Sequence, residues 1–193
     1  MAKNETMRPA LMASESVQSY LVSVKYQEQE EYADIHDGAL VKLGDLASND
    51  PYNVDNRNGV TLSGAKDDNC YIATAPEAAT DEVVIVDLAE VPGATNGDLY
   101  YKMGIRLYGL TLAAGLPARA RIPMKHDKFW LSEDCFIGEA EVGKYAVPTA
   151  NDTHHTIVDA ATTEGYCVKL EDVRDFTVGN RSIGKLYLCR VVL

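Results

Sequence analysis

The sequence predicts an all-β protein, an antiparallel β-barrel or sandwich with long loops and very little helix. Apolar and polar residues alternate with period two in several stretches, most fully over residues 99–108, as expected of strands with one buried face. Clusters of Gly, Pro, Asn and Asp separate these stretches at the spacings of sandwiches and barrels. No window of 12 or more residues carries a helical apolar stripe, and the best helical candidate is a single turn over residues 170–175.

Residues 1–16 mix Asn, Thr, Ser and charges around Pro9 without periodicity, and read as an N-terminal arm that orders against a partner. Residues 17–193 form the β-rich domain, divisible into sub-lobes 17–98 and 99–193. Its first strand places Tyr20, Val22, Val24 and Tyr26 on one side. Residues 27–31 are acidic and helix-compatible but too short to form a helix alone. Asp37-Gly38 is a turn pair that sets up a strand through Ala39, Val41 and Leu43. Residues 47–69 are dense in turn residues, Asp67-Asp68-Asn69 among them, with a short strand at 60–62. A strand at 71–75 follows, then the strong Val83–Leu88 run, whose consecutive apolar residues predict a strand covered on both faces. After the strand at 99–108, alternation returns at Ala118, Ala120 and Ile122 against Arg119 and Arg121. Further strands are expected at 128–131, 135–137, 143–147, 156–158, 166–170 and 182–192.

The 193 residues bury a core without metals or disulfides. A hydrophobic share of 46% with 24% charged residues excludes wholesale disorder. The net charge of −11 disfavours nucleic acid, whose phosphates repel an anionic surface. That charge is uneven: residues 1–100 hold 6 Lys and Arg against 18 Asp and Glu, whereas residues 101–193 hold 12 against 11. Lys102, Arg106, Arg119, Arg121, Lys125 and Lys128 share their stretch with a single acid, Asp127. They read either as a solvated strand face with alternate cations or as an interface for an acidic partner, including the acidic half of a second copy.

Cys70, Cys135, Cys167 and Cys189 are far apart, and three lie in apolar runs, so they read as reduced core residues. The N-terminus lacks the apolar stretch of a signal peptide, and no apolar run approaches the roughly 20 residues of a membrane helix.

Candidate chemistry is sparse. His154-His155 is the single local histidine cluster, but neighbours in a strand point to opposite faces and cannot easily share an ion. A metal-dependent enzyme using Asp152, His154 and His155 is therefore a minor alternative to a polar loop. Glu139 and Glu141 stand at i,i+2, on one face if their segment is a strand. No nucleophile elbow or phosphate-binding glycine loop is present. No catalytic, cofactor-binding or metal residues are expected, and the chain reads as non-enzymatic. Tyrosine is in excess, with 11 Tyr beside 3 Phe and 1 Trp, which suits surfaces that become covered on assembly as well as outer sheet faces. If Tyr100, Tyr108 and Trp130 ring a groove, they instead suit a small-ligand or glycan-binding β-module.

The stretches Tyr20-Leu21-Val22-Ser23-Val24, residues 118–130, Val142-Gly143-Lys144-Tyr145 and the terminal strand at 186–193 resemble those of small virion proteins of tailed bacteriophages. The similarity is to head accessory or decoration proteins. It implies a β-rich, non-enzymatic module, made in the bacterial host cytoplasm, that binds the major capsid protein on the capsid exterior. It also implies a homo-oligomer, a trimer before other orders, with no nucleic-acid or membrane partner. Head-fibre bases, tail and connector proteins are the neighbouring roles.

Overall fold

A computed structural model describes residues 21–48, 66–88, 111–178 and 181–192. The chain is nearly all β, as expected, in two six-stranded sheets and a two-stranded clip. The first sheet contains β1 (Leu21–Glu28), β2 (Glu31–Tyr32), β4 (Leu40–Ser48), β5 (Lys66–Thr74), β6 (Val83–Val86) and β8 (Ala118–Arg121). Its order is β2-β1-β5-β4-β6-β8, and pairing of β8 back onto β1 closes a five-stranded barrel. The clip joins β3 (Ile35–His36) to β7 (Thr111–Leu112).

The second sheet curls into a half-barrel of β9 (Lys128–Ser132), β10 (Phe136–Ile137), β11 (Tyr145–Pro148), β12 (His155–Val158), β13 (Val168–Val178) and β14 (Arg181–Val191). Its order is β10-β12-β11-β13-β14-β9, with one 3-10 turn at Glu133–Cys135 linking the two outermost strands. The chain passes from the first sheet to the second between Arg121 and Lys128. No helix among the described residues is long and apolar enough to cross a membrane.

The pairing is antiparallel except at β1–β5 and β10–β12, which run parallel. Each exception joins strands separated by intervening chain rather than by a tight turn, as parallel pairing requires. Residues 170–175 are strand, not a helical turn. They lie within β13, whose pairing with β14 extends over ten residue pairs and supplies hydrogen bonds that an isolated turn lacks. A bulge between Leu170 and Asp172 removes Glu171 from the alternation and produces the local helix-like spacing. Residues 27–31 likewise form a hairpin, with Gln29 and Glu30 at φ 52 and 68 in a two-residue turn. Asp67, Asp68 and Asn69 belong to β5 rather than to a turn. The expected strands at 60–62 and 99–108 lie outside the described residues.

β6 explains how the two halves share a core. Val84 and Val86 point into the barrel with Val24, Val41 and Ala120. Val83 and Ile85 point the other way, into the half-barrel, with Phe129, Leu131, Leu170 and Cys189. All four β6 residues are buried, as the unbroken apolar run predicts. Backbone bonds tie the same junction: Leu40 N–H donates to Thr153 O at 2.7 Å and Asn151 N–H to Pro76 O at 2.6 Å. Gly165, at φ +75, lies so close to the 77–81 segment that a Cβ would stand 2.7 Å from the Thr80 backbone. Only glycine fits that approach.

Candidate functional site

The cationic stretch divides in the structure. Register pairs Ile85 with Arg121 and Val86 with Ala120, which brings Arg119 beside Asp87, just past the end of β6. Asp87 is fully buried. Arg119 donates from Nε to the Asp87 carbonyl at 3.1 Å and reaches Oδ2 with Nη2 at 3.0 Å. Arg121 Nε donates to the same Oδ2. Two guanidiniums thus converge on one carboxylate, as a buried charge requires. Asp87 Oδ1 has no hydrogen-bond partner among the described residues. Asp37, just before β4 on the other flank of β6, accepts the Leu88 N–H at 2.9 Å.

Arg119 and Arg121 therefore direct their guanidiniums from the barrel surface onto a buried carboxylate. Lys125 is exposed in the turn before β9, and Lys128 lies 4.0 Å from Glu171, which also accepts from Arg190 Nε at 2.5 Å. Lys102 and Arg106 lie outside the described residues. Of the six cations expected at an interface, the structure brings Arg119 and Arg121 together, through Asp87, and leaves Lys125 and Lys128 farther along the chain at the start of β9.

The histidines diverge as strand geometry predicts. His155, the first residue of β12, turns into the core, where its Nε2 lies 3.2 Å from the Tyr166 hydroxyl. Burial pushes its pKa down to about 3, against partial opposition from the Cys135 carbonyl. His154 turns the other way, pairs through Nδ1 with Asp152, and stacks on His36 of β3 with ring centroids 5.2 Å apart. Burial raises the Asp152 pKa, but contacts with His154 outweigh it and hold the carboxyl below its ordinary value. Among the described residues no three His, Cys, Asp or Glu groups are placed to hold a metal ion.

Glu139 and Glu141 lie in the loop between β10 and β11, not on a strand face. Lys144 Nζ bonds the Glu139 carbonyl oxygen at 3.5 Å and the Glu141 carboxylate at 3.1 Å. All four cysteines are buried and form no disulfide among the described residues, and burial raises the Cys189 pKa well above its ordinary value, which keeps that sulfur protonated. Tyr166 and Tyr187 are core residues, the latter donating its hydroxyl to Ala140 O at 3.0 Å. Trp130 carries the Arg174 guanidinium 4.1 Å above its ring, while Tyr100 and Tyr108 lie outside the described residues.

Six large apolar side chains are exposed among the described residues, four in strands (Leu21, Tyr32, Ile137, Val173) and two, Leu116 and Val142, between them. Tyr32 is 41% exposed and Leu116 is 53% exposed. The 113–116 turn packs on the Tyr32 ring, a Cβ at Gly115 being 3.8 Å from it. Ala114 N–H donates to Asp34 Oδ1 at 2.8 Å, so the β2 hairpin and the turn before β8 are fastened into one apolar tip. Sequence reading missed both this tip and Asp87. An acid between Val86 and Leu88, two apolar residues, was the available signal for Asp87, because it demands a cationic partner.

Comparison of the chain with protein-family models, with characterised proteins and with solved structures returns no match.

Proposed function

We propose that this chain is a non-enzymatic structural protein of a bacteriophage virion, a head decoration or capsid-stabilising accessory protein that binds the major capsid protein as a symmetric oligomer. The observation that carries the reading is the fastened tip of Tyr32 and Leu116. It offers apolar area on a scaffold already ordered by the Ala114–Asp34 hydrogen bond, so little entropy is lost when a flat protein surface covers it. The reading is also supported by what the reactive side chains do. His155, the cysteines and Asp87 are engaged in the interior, which suits a protein that acts through surface area. The likeness of its strand segments to head accessory proteins and the overall charge of −11, which disfavours nucleic acid, fit the same role on the capsid exterior.

Co-sedimentation with undecorated capsid shells tests the proposal. The chain pellets with shells at micromolar concentration, and Tyr32→Ser combined with Leu116→Ser weakens that binding at least about tenfold. Failure of the unaltered chain to pellet with shells overturns the decoration role.

A further inference from the structure

The closed barrel leaves its five strands no edge, but the half-barrel ends at β9, which pairs on one side only among the described residues. Its hydrogen-bonding direction follows from Val191. That residue donates to Asp127 O at 2.9 Å and accepts from His126 N–H at 2.9 Å, so Val191 points its peptide groups at the β9 side. Period two then makes Cys189↔Phe129 and Tyr187↔Leu131 the hydrogen-bonded pairs of the regular β14–β9 register. Lys128 and Trp130 consequently aim their N–H and C=O groups outward.

β9 differs from the other long open edge. The distal β13–β14 ladder is interrupted twice, once by a bulge in β13 itself, and this part of β13 carries exposed Asp172, Arg174 and Asp175, devices that blunt an edge. β9 keeps an unbroken register over five pairs. Its ends are oppositely charged, with Lys125 and Lys128 at the start and Glu133 and Asp134 just past the end.

We infer that the β9 edge binds β9 of a second copy of this chain, antiparallel about a twofold axis through Trp130. An antiparallel partner reverses the charge order, so exposed Lys125 comes to the end of β9 that carries exposed Glu133 in the second copy, and the same contact repeats on the other side. A parallel partner would set like charges side by side. With the axis at Trp130, the outward peptide groups of the two Trp130 residues face each other, Lys128 falls opposite Ser132 of the second copy, and the two half-barrels become one continuous twelve-strand sheet. The contact closes on itself and produces a dimer instead of the threefold ring implied by the phage resemblance. It does not depend on capsid binding, because a strictly monomeric chain that still pelleted with shells would overturn the dimer and leave the decoration role standing.

Sedimentation equilibrium on the full chain, with amide hydrogen exchange at high and low protein concentration, tests this. A monomer–dimer equilibrium is expected in the micromolar range, with the amides of Lys128 and Trp130 protected only at high concentration. Trp130 is the sole tryptophan, so its emission should shift along the same isotherm. Trp130→Pro removes an outward N–H and leaves the β14 ladder intact, and it should abolish the dimer. Should that variant misfold, Lys125→Glu is expected to weaken association about tenfold, and adding Glu133→Lys in the same chain to restore it. A monomer at all concentrations, or association that leaves the Lys128 and Trp130 amides unprotected, overturns the inference.

Discussion

Acidification should unfold this protein through His155, and the size of the effect can be worked out. The imidazole is wholly buried and its pKa falls from 6.5 to about 3. The folded state therefore holds the ring neutral while the unfolded chain takes up a proton as pH drops below 6.5. Stability is fully present above that value and is lost progressively as pH falls toward 3. Each unit of difference corresponds to about 1.4 kcal/mol, so moving from pH 7.5 to pH 5 costs about 2 kcal/mol through this group alone. That is a large part of the roughly 5–15 kcal/mol that holds a typical domain folded. The assay is urea denaturation at both pH values for the native chain and for His155→Gln, whose amide can still meet the Tyr166 hydroxyl. The variant's stability at pH 7.5 is immaterial, since the measured quantity is the change between the two pH values. The remaining ionisable groups are the same in both proteins, so their contributions largely cancel in the difference. The native chain should lose about 2 kcal/mol more than the variant. Equal losses in the two proteins would refute the account.

Three substitutions probe the junction and the hairpin. Gly165→Ala forces a Cβ against the Thr80 backbone at a φ of +75 and should cost about 2 kcal/mol, read as a lower urea midpoint. Asp87→Asn leaves Arg119 and Arg121 sharing a neutral amide and should cost about 3 kcal/mol, with little dependence on salt because the carboxylate is buried. Glu30→Gly relieves a left-handed residue in the β1–β2 turn and should raise stability by about 1 kcal/mol, measured by thermal denaturation.

The parts of the fold legible in the sequence are those in which local pattern and tertiary demand agree. Alternation at 118–122 becomes β8, with Ala118 and Ala120 inside and the arginines at the surface. The unbroken Val83-Val84-Ile85-Val86 run announces two covered faces, and β6 has a core on each. Where pattern and tertiary demand disagree, pairing prevails. A bulge after Leu170 imitates helical spacing, and the hairpin partner that decides the matter stands more than ten residues away in sequence. Gln29 and Glu30 carry no turn signature, and their left-handed backbone is imposed by closing β1 onto β2.

The charged stretch shows the same logic for function. Arg119 and Arg121 read from sequence as surface cations because i,i+2 spacing on a strand leaves them on the solvent side. Nothing local states that the neighbouring strand ends in an acid. β6 is buried on both faces, so whatever follows Val86 is carried into the same dry junction, and Asp87 stays ionised there only beside cations. Register across β6–β8 supplies Arg119 next to it and Arg121 one step further on the same face, and both are drawn onto its Oδ2 atom. The arginines that count as a basic patch in sequence are thereby held on the barrel wall by Asp87, which offsets one of their two charges. Beyond the crossover Lys128 is engaged with Glu171, and the exposed cation beside the open edge of β9 is Lys125.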